Sequence, residues 1–149
     1  MILAYLVVSC LPVLGQTSHL SSVTKAPGDN VTLDLSANSQ RGREPVALKW
    51  DVIFPAQLMA MDGAPDTGSA AMNSGKSLQC TARRLYTYTC ILSGGQNPIA
   101  NGPIAIFHFR ILTTAEPRTT TLRIEKAVAT AVDSRVLTLN DTEAIVIIQ

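Results

Sequence analysis

In several runs between residues 31 and 148 the apolar side chains recur at every second position, the spacing of a half-buried strand. Val31, Leu33 and Leu35 alternate with Thr32 and Asp34. Leu48, Trp50, Val52 and Phe54 alternate with Lys49, Asp51 and Ile53. Ala105, Phe107, Phe109 and Ile111 alternate with Ile106, His108 and Arg110. A strand turns successive side chains to opposite faces, so each run offers one face to a core and one to solvent. Parallel strands need long crossovers, usually helical, and no convincing helical stretch is visible. The chain therefore reads as all-β, an antiparallel sandwich of about nine strands around one dry layer.

Turn residues divide these runs. Ala26, Pro27, Gly28 and Asp29 make a turn after a short first strand at 20–24. Pro55 ends the strand carrying Trp50, and 57–61 reads as a short continuation. Residues 62–77, with Gly63, Pro65, Gly68 and Gly75, form a long connection. Two strands are predicted at 119–127 and 129–132, then a turn at Asp133 and Ser134. The strongly apolar ending, 144–148, closes the chain.

Residues 1–15 carry no charge. A membrane-spanning helix needs about 20 apolar residues, and Pro12 interrupts this shorter run. The stretch reads as a secretory leader, with Val13 and Gly15 as small residues before a cut at Gln16. A buried N-terminal strand and a lipoprotein signal at Cys10 are the alternatives. The expected domain is then 16–149, in a secreted, cell-surface or periplasmic protein. The net charge of +1, without runs of like charge, gives no pull toward nucleic acid or an anionic surface. Of three cysteines, Cys80 and Cys90 lie outside the leader. An even pair in an exported chain points to a disulfide across a hairpin that turns at Arg83 and Arg84. Two separate buried thiols are the alternative.

The sequence lacks the metalloprotease, serine-hydrolase, phosphate-loop and redox-cysteine motifs. No catalytic residue, metal or cofactor is expected, and the reading is not an enzyme. The acids Asp62 and Asp66 fit solvated loop positions better than a calcium loop. Trp50, sharing its face with Leu48 and Val52, reads as core. Tyr86 and Tyr88 share a face with Cys90 and Leu92. They form either cross-strand packing or a small platform for a sugar ring.

Three stretches in order are similar to the cohesin family. These are the turn and strand at 23–33 around Pro27, Gly28 and Asp29; the alternating strand at 47–55 followed by Leu58; and the strand at 102–111 opening on Gly102 and Pro103. The resemblance implies a nine-stranded jelly-roll sandwich that binds protein without catalysis. Its usual partner is a dockerin, a small calcium-dependent helical module, in polysaccharide breakdown. A polar pattern on the second stretch faces the dockerin in that family, and Lys49 and Asp51 match it here. The family commonly has Asn where Lys49 stands. Recognition is expected on one sheet face, with His108 and Arg110 of the third stretch joining Lys49 and Asp51. Two other readings compete. A carbohydrate-binding module would use Tyr86 and Tyr88. A structural subunit of a secreted assembly would offer 144–148 as an open edge strand.

Overall fold

A computed structural model describes residues 17–84 and 86–149; the leader reading at 1–15, with Cys10, lies outside the described residues. The chain runs through β1 (Thr17–Leu20), β2 (Val23–Lys25), β3 (Asn30–Asn38), β4 (Pro45–Ile53), β5 (Met59–Met61), β6 (Asp66–Thr67) and a short helix α1 (Ser69–Asn73). It continues with β7 (Ser77–Arg84), β8 (Thr87–Ser93), β9 (Gly102–Ile111), β10 (Arg118–Ala131), β11 (Val136–Thr138) and β12 (Thr142–Ile148).

These strands form two sheets. The smaller is ordered β1-β3-β9-β5, with β6 also on β9; the larger is β2-β12-β10-β4-β8-β7, with β11 on β10. The period-two runs do what their alternation demands. Val31, Leu33, Leu35, Phe107 and Phe109 of the smaller sheet are buried. Leu48, Trp50, Val52, Leu122, Ile124 and Val146 of the larger sheet are buried too, and all belong to one core cluster. Phe54 seals one end, its ring 5.3 Å from Phe109 and 5.9 Å from Tyr88.

The strand predicted at 20–24 is two strands on different sheets. Ser21 and Ser22 make the crossing. The Ser21 hydroxyl accepts from the Asp34 amide at 3.1 Å, and the Ser22 hydroxyl from the Ile145 amide at 3.1 Å. Each sheet thus receives one short side-chain bond where the chain leaves the other. β2 then lies parallel to β12, the one parallel pair in an otherwise antiparallel arrangement of the described strands.

That pairing corrects a second expectation. The apolar ending 144–148 is not an open edge, because β12 is bonded to β10 on one side and β2 on the other. The structural-subunit reading based on that edge loses its footing. The predicted break near residue 128 is a bulge within a single strand. β10 runs for 14 residues, and Lys126 adopts a left-handed φ of 53° where the register to β4 shifts. The extra residue bends the strand, which exchanges β12 for β11 as its neighbour beyond the bulge. The connection at 62–77 holds β6 and α1. There Gly68 presses its Cα against Pro103 and Ile104, with its amide donating to the Ile104 carbonyl at 2.9 Å.

Two candidate docking faces

The larger sheet presents the middle of its outer face through β4. Alternation sends Leu48, Trp50 and Val52 inward, which leaves Lys49 exposed and Asp51 half-buried on the outside. Cross-strand register sets their neighbours. Lys49 stands between Val128 of β10 and Ile91 of β8; Asp51 stands between Glu125 and Thr89. Asp51 accepts from the Thr89 hydroxyl at 2.8 Å, and that oxygen accepts from Arg83 Nε at 3.3 Å. Arg123 and Glu125 pair at 2.9 Å on the same face. Lys49 has no partner among the described residues, and Ile91 is 44% exposed beside it. The result is a pleated surface with a fixed polar row, a free ammonium and an apolar contact in adjacent rows.

His108 and Arg110 do not join this surface. They project from β9 on the outer face of the smaller sheet, across the buried layer from β4. His108 Nε2 lies 2.8 Å from Asp66 Oδ2. Arg110 donates to Asn30 Oδ1 at 3.3 Å and stands 3.6 Å from Asp62. Both side chains are tied to local partners. Sheets in a sandwich stack about 10 Å apart, so no single flat partner reaches all four residues. Period two tells which side chains face out, but it cannot tell which sheet a strand joins. The expectation of one shared face fails for that reason.

The sequence reading missed Thr89, Ile91 and Arg83. A signal was present: with Cys90 and Leu92 turned inward, Thr89 and Ile91 must face outward, and β8 pairs with β4.

The aromatic candidates separate too. Trp50 is 1% exposed. Tyr88 faces the core with Cys90 and Leu92, against Phe54. Tyr86 sits beyond the strand in the turn, 46% exposed, its carbonyl accepting from the Phe54 amide. Cys80 and Cys90 are directly opposed across β7 and β8, and they are joined as a disulfide with Cα atoms 4.0 Å apart. Among the described residues no cluster of three His, Cys, Asp or Glu side chains could hold a metal. The acids Asp62 and Asp66 serve Arg110 and His108 instead.

Lys76 is a buried cation without a carboxylate. Its Nζ donates to the Gly94 carbonyl at 2.7 Å and the Gly95 carbonyl at 3.3 Å, tying the end of β8 to the start of β7. Burial holds its ammonium pKa below the ordinary 10.5.

The architecture is a two-sheet, almost wholly antiparallel β-sandwich. No family model matches the sequence, and no curated protein matches it. Solved structures do match. A cohesin of Acetivibrio cellulolyticus scaffoldin B, crystallised in complex with a dockerin, superposes with a TM-score of 0.79 at 13% identity, covering 91% of this chain and 99% of that one. A non-cellulosomal cohesin from the archaeon Archaeoglobus fulgidus gives 0.74 at 11%, covering 91% of each chain. A cohesin module of a family 33 glycoside hydrolase from Clostridium perfringens gives 0.78 at 11%, covering 91% and 98%. The chain is a cohesin-like β-sandwich domain, as the three sequence stretches imply.

Proposed function

We propose that this chain is a non-catalytic docking module, spanning about 16–149, that binds a dockerin-like helical protein through the outer face of its larger sheet. The observation that carries the reading is the row built on β4. Lys49 is free, Asp51 is fixed by Thr89, and Ile91 offers exposed apolar surface in the adjacent row. A standard interface takes about 800 Å² per partner, which one sheet face can supply. Cohesins of the same fold occur in complexes with dockerins, which supports this class of partner. The setting we infer is extracellular, in polysaccharide breakdown, with 1–15 directing export. The disulfide supports an oxidising compartment. A glycan platform receives less support, because Trp50 is buried and Tyr88 faces the core, leaving Tyr86 alone.

The test is calorimetric titration of the chain with purified dockerin modules from its own source organism, in calcium. One of them binds, and Lys49→Ala and Asp51→Ala each weaken it roughly tenfold. His108→Ala and Arg110→Ala, on the opposite sheet, leave the affinity unchanged. The reading fails if no dockerin binds, or if the β9 variants weaken binding as much as those on β4.

A further inference from the structure

Among the described residues the edge strand β7 pairs only with β8; β6 comes near it, but no strand is hydrogen-bonded to its other side. In an antiparallel pair, residues whose Cα atoms lie about 4.5 Å apart are the ones that do not exchange hydrogen bonds. Cys80 and Cys90, at 4.0 Å, are such a pair. Leu78 and Ala82 keep step with Cys80 along the register, so the amides and carbonyls of Leu78, Cys80 and Ala82 all point away from β8. No turn, loop or side-chain hydrogen bond among the described residues uses them.

Natural sheets guard such an edge with proline, lysine or a covering loop. β7 contains neither proline nor lysine, and its charges and register shift are confined to its end at Arg83 and Arg84, leaving Leu78 to Ala82 unguarded. The loop at 63–65 stands back from it across a groove of about 630 Å³. Met61, Pro65, Leu78, Cys80 and Tyr88 are among the residues that line it. The disulfide holds the strand to β8 and keeps its outer edge presented. At the far end of β7, Arg83 and Arg84 are exposed and unpaired with any acid, since Arg83 reaches only the Thr89 hydroxyl. The two acids that flank the loop, Asp62 and Asp66, are engaged by Arg110 and His108.

We propose that the open edge of β7 is a second docking site, which accepts an extended acidic segment of a partner protein as an added antiparallel strand. Backbone bonds to Leu78, Cys80 and Ala82 give the affinity. Small apolar side chains of the segment enter the groove, and its acidic N-terminal end meets Arg83 and Arg84. The site shares Arg83 with the β4 face, where that side chain bonds Thr89; its backbone contacts and Arg84 lie on the β7 edge alone.

The test titrates the isotope-labelled chain with the capped peptide Glu-Glu-Thr-Val-Thr-Val-Thr and follows backbone amide shifts. The amides of Leu78, Cys80 and Ala82 move together, and the affinity falls as salt rises. Replacing both glutamates of the peptide by lysine abolishes the shifts. Ala82→Pro deletes an outward amide that β8 does not use, and it weakens binding about tenfold at an unchanged melting temperature. Should that variant fold poorly, R84E serves instead, since Arg84 is exposed and lies outside the Asp51–Thr89–Arg83 network. Absence of shifts with the acidic peptide, equal shifts with the lysine peptide, or sedimentation of the chain as a dimer paired through β7 would each overturn the proposal.

Discussion

Reducing the Cys80–Cys90 bond removes the cross-link without deleting any heavy atom, so the loss of loop constraint dominates its effect on stability. The cysteines are 10 residues apart in sequence, and Cys90 is fully buried in the core cluster. Reduction therefore opens no cavity and exposes no new surface; it releases a closed loop in the unfolded chain. Chain-entropy reasoning gives about 9 cal/mol/K for a loop of roughly ten residues, or about 2.7 kcal/mol at room temperature. With a urea slope of roughly 1.8 kcal/mol/M, the unfolding midpoint should fall by about 1.5 M. The measurement compares urea unfolding with and without reductant, beside a variant carrying Cys80→Ala and Cys90→Ala. That variant must ignore the reductant. A midpoint shift below about 0.5 M in the disulfide-bonded protein would refute the loop-entropy account.

Trp50 buries its indole N–H without a hydrogen-bond partner among the described residues. Trp50→Phe relieves that unpaired donor while losing some volume, so its net cost in urea unfolding should stay below about 1.5 kcal/mol, against about 3–5 kcal/mol for Trp50→Ala. A Cβ on Gly68 would lie 2.4 Å from the backbone carbon and oxygen of Pro103. Gly68→Ala should therefore cost about 2 kcal/mol or more by forcing β6 and α1 off β9, and an unchanged melting temperature would contradict the close approach. Lys76 has its pKa lowered from 10.5 by burial, so between that lowered value and 10.5 the unfolded chain binds more protons than the folded one. Stability should rise with pH across that window, and Lys76→Met should flatten the rise; a rise identical in the variant would assign it to other groups.

How far the sequence carried the fold depends on what each residue pattern encodes. Alternation identified the inward faces of β3, β4 and β9, because a wrong register would have placed Leu33, Trp50 or Phe107 in water. Pairing across long separations was not legible. Nothing local distinguishes the apolar ending as an interior strand rather than an edge, since its neighbour β2 lies more than a hundred residues earlier. The bulge at Lys126 was hidden too, because lysine rarely occupies the left-handed region and gives no glycine-like mark. The disulfide was legible as an even pair of cysteines in one hairpin, but the turn was not: Arg83 and Arg84 belong to β7, with Arg84 opposite Thr87, and the chain turns only after them.

The same distinction governs the candidate sites. Lys49 and His108 look alike in sequence, each a polar residue in an apolar alternating run, yet their surroundings differ. On β9 the outward cation and imidazole meet loop acids supplied by 62–66, and the charges are satisfied at home. On β4 the neighbours come from β8 and β10. They fix Asp51 through a hydroxyl and leave Lys49 and Ile91 unsatisfied. A partner gains most where the protein has not already spent its polar groups, and a fixed acid beside a free ammonium loses little entropy on binding. The proposed docking therefore predicts recognition on the larger sheet, and its test is asymmetric. Exchanging Lys49 for glutamate should change the affinity for a charged partner, whereas the same exchange at Arg110 should change only the packing of its own loop.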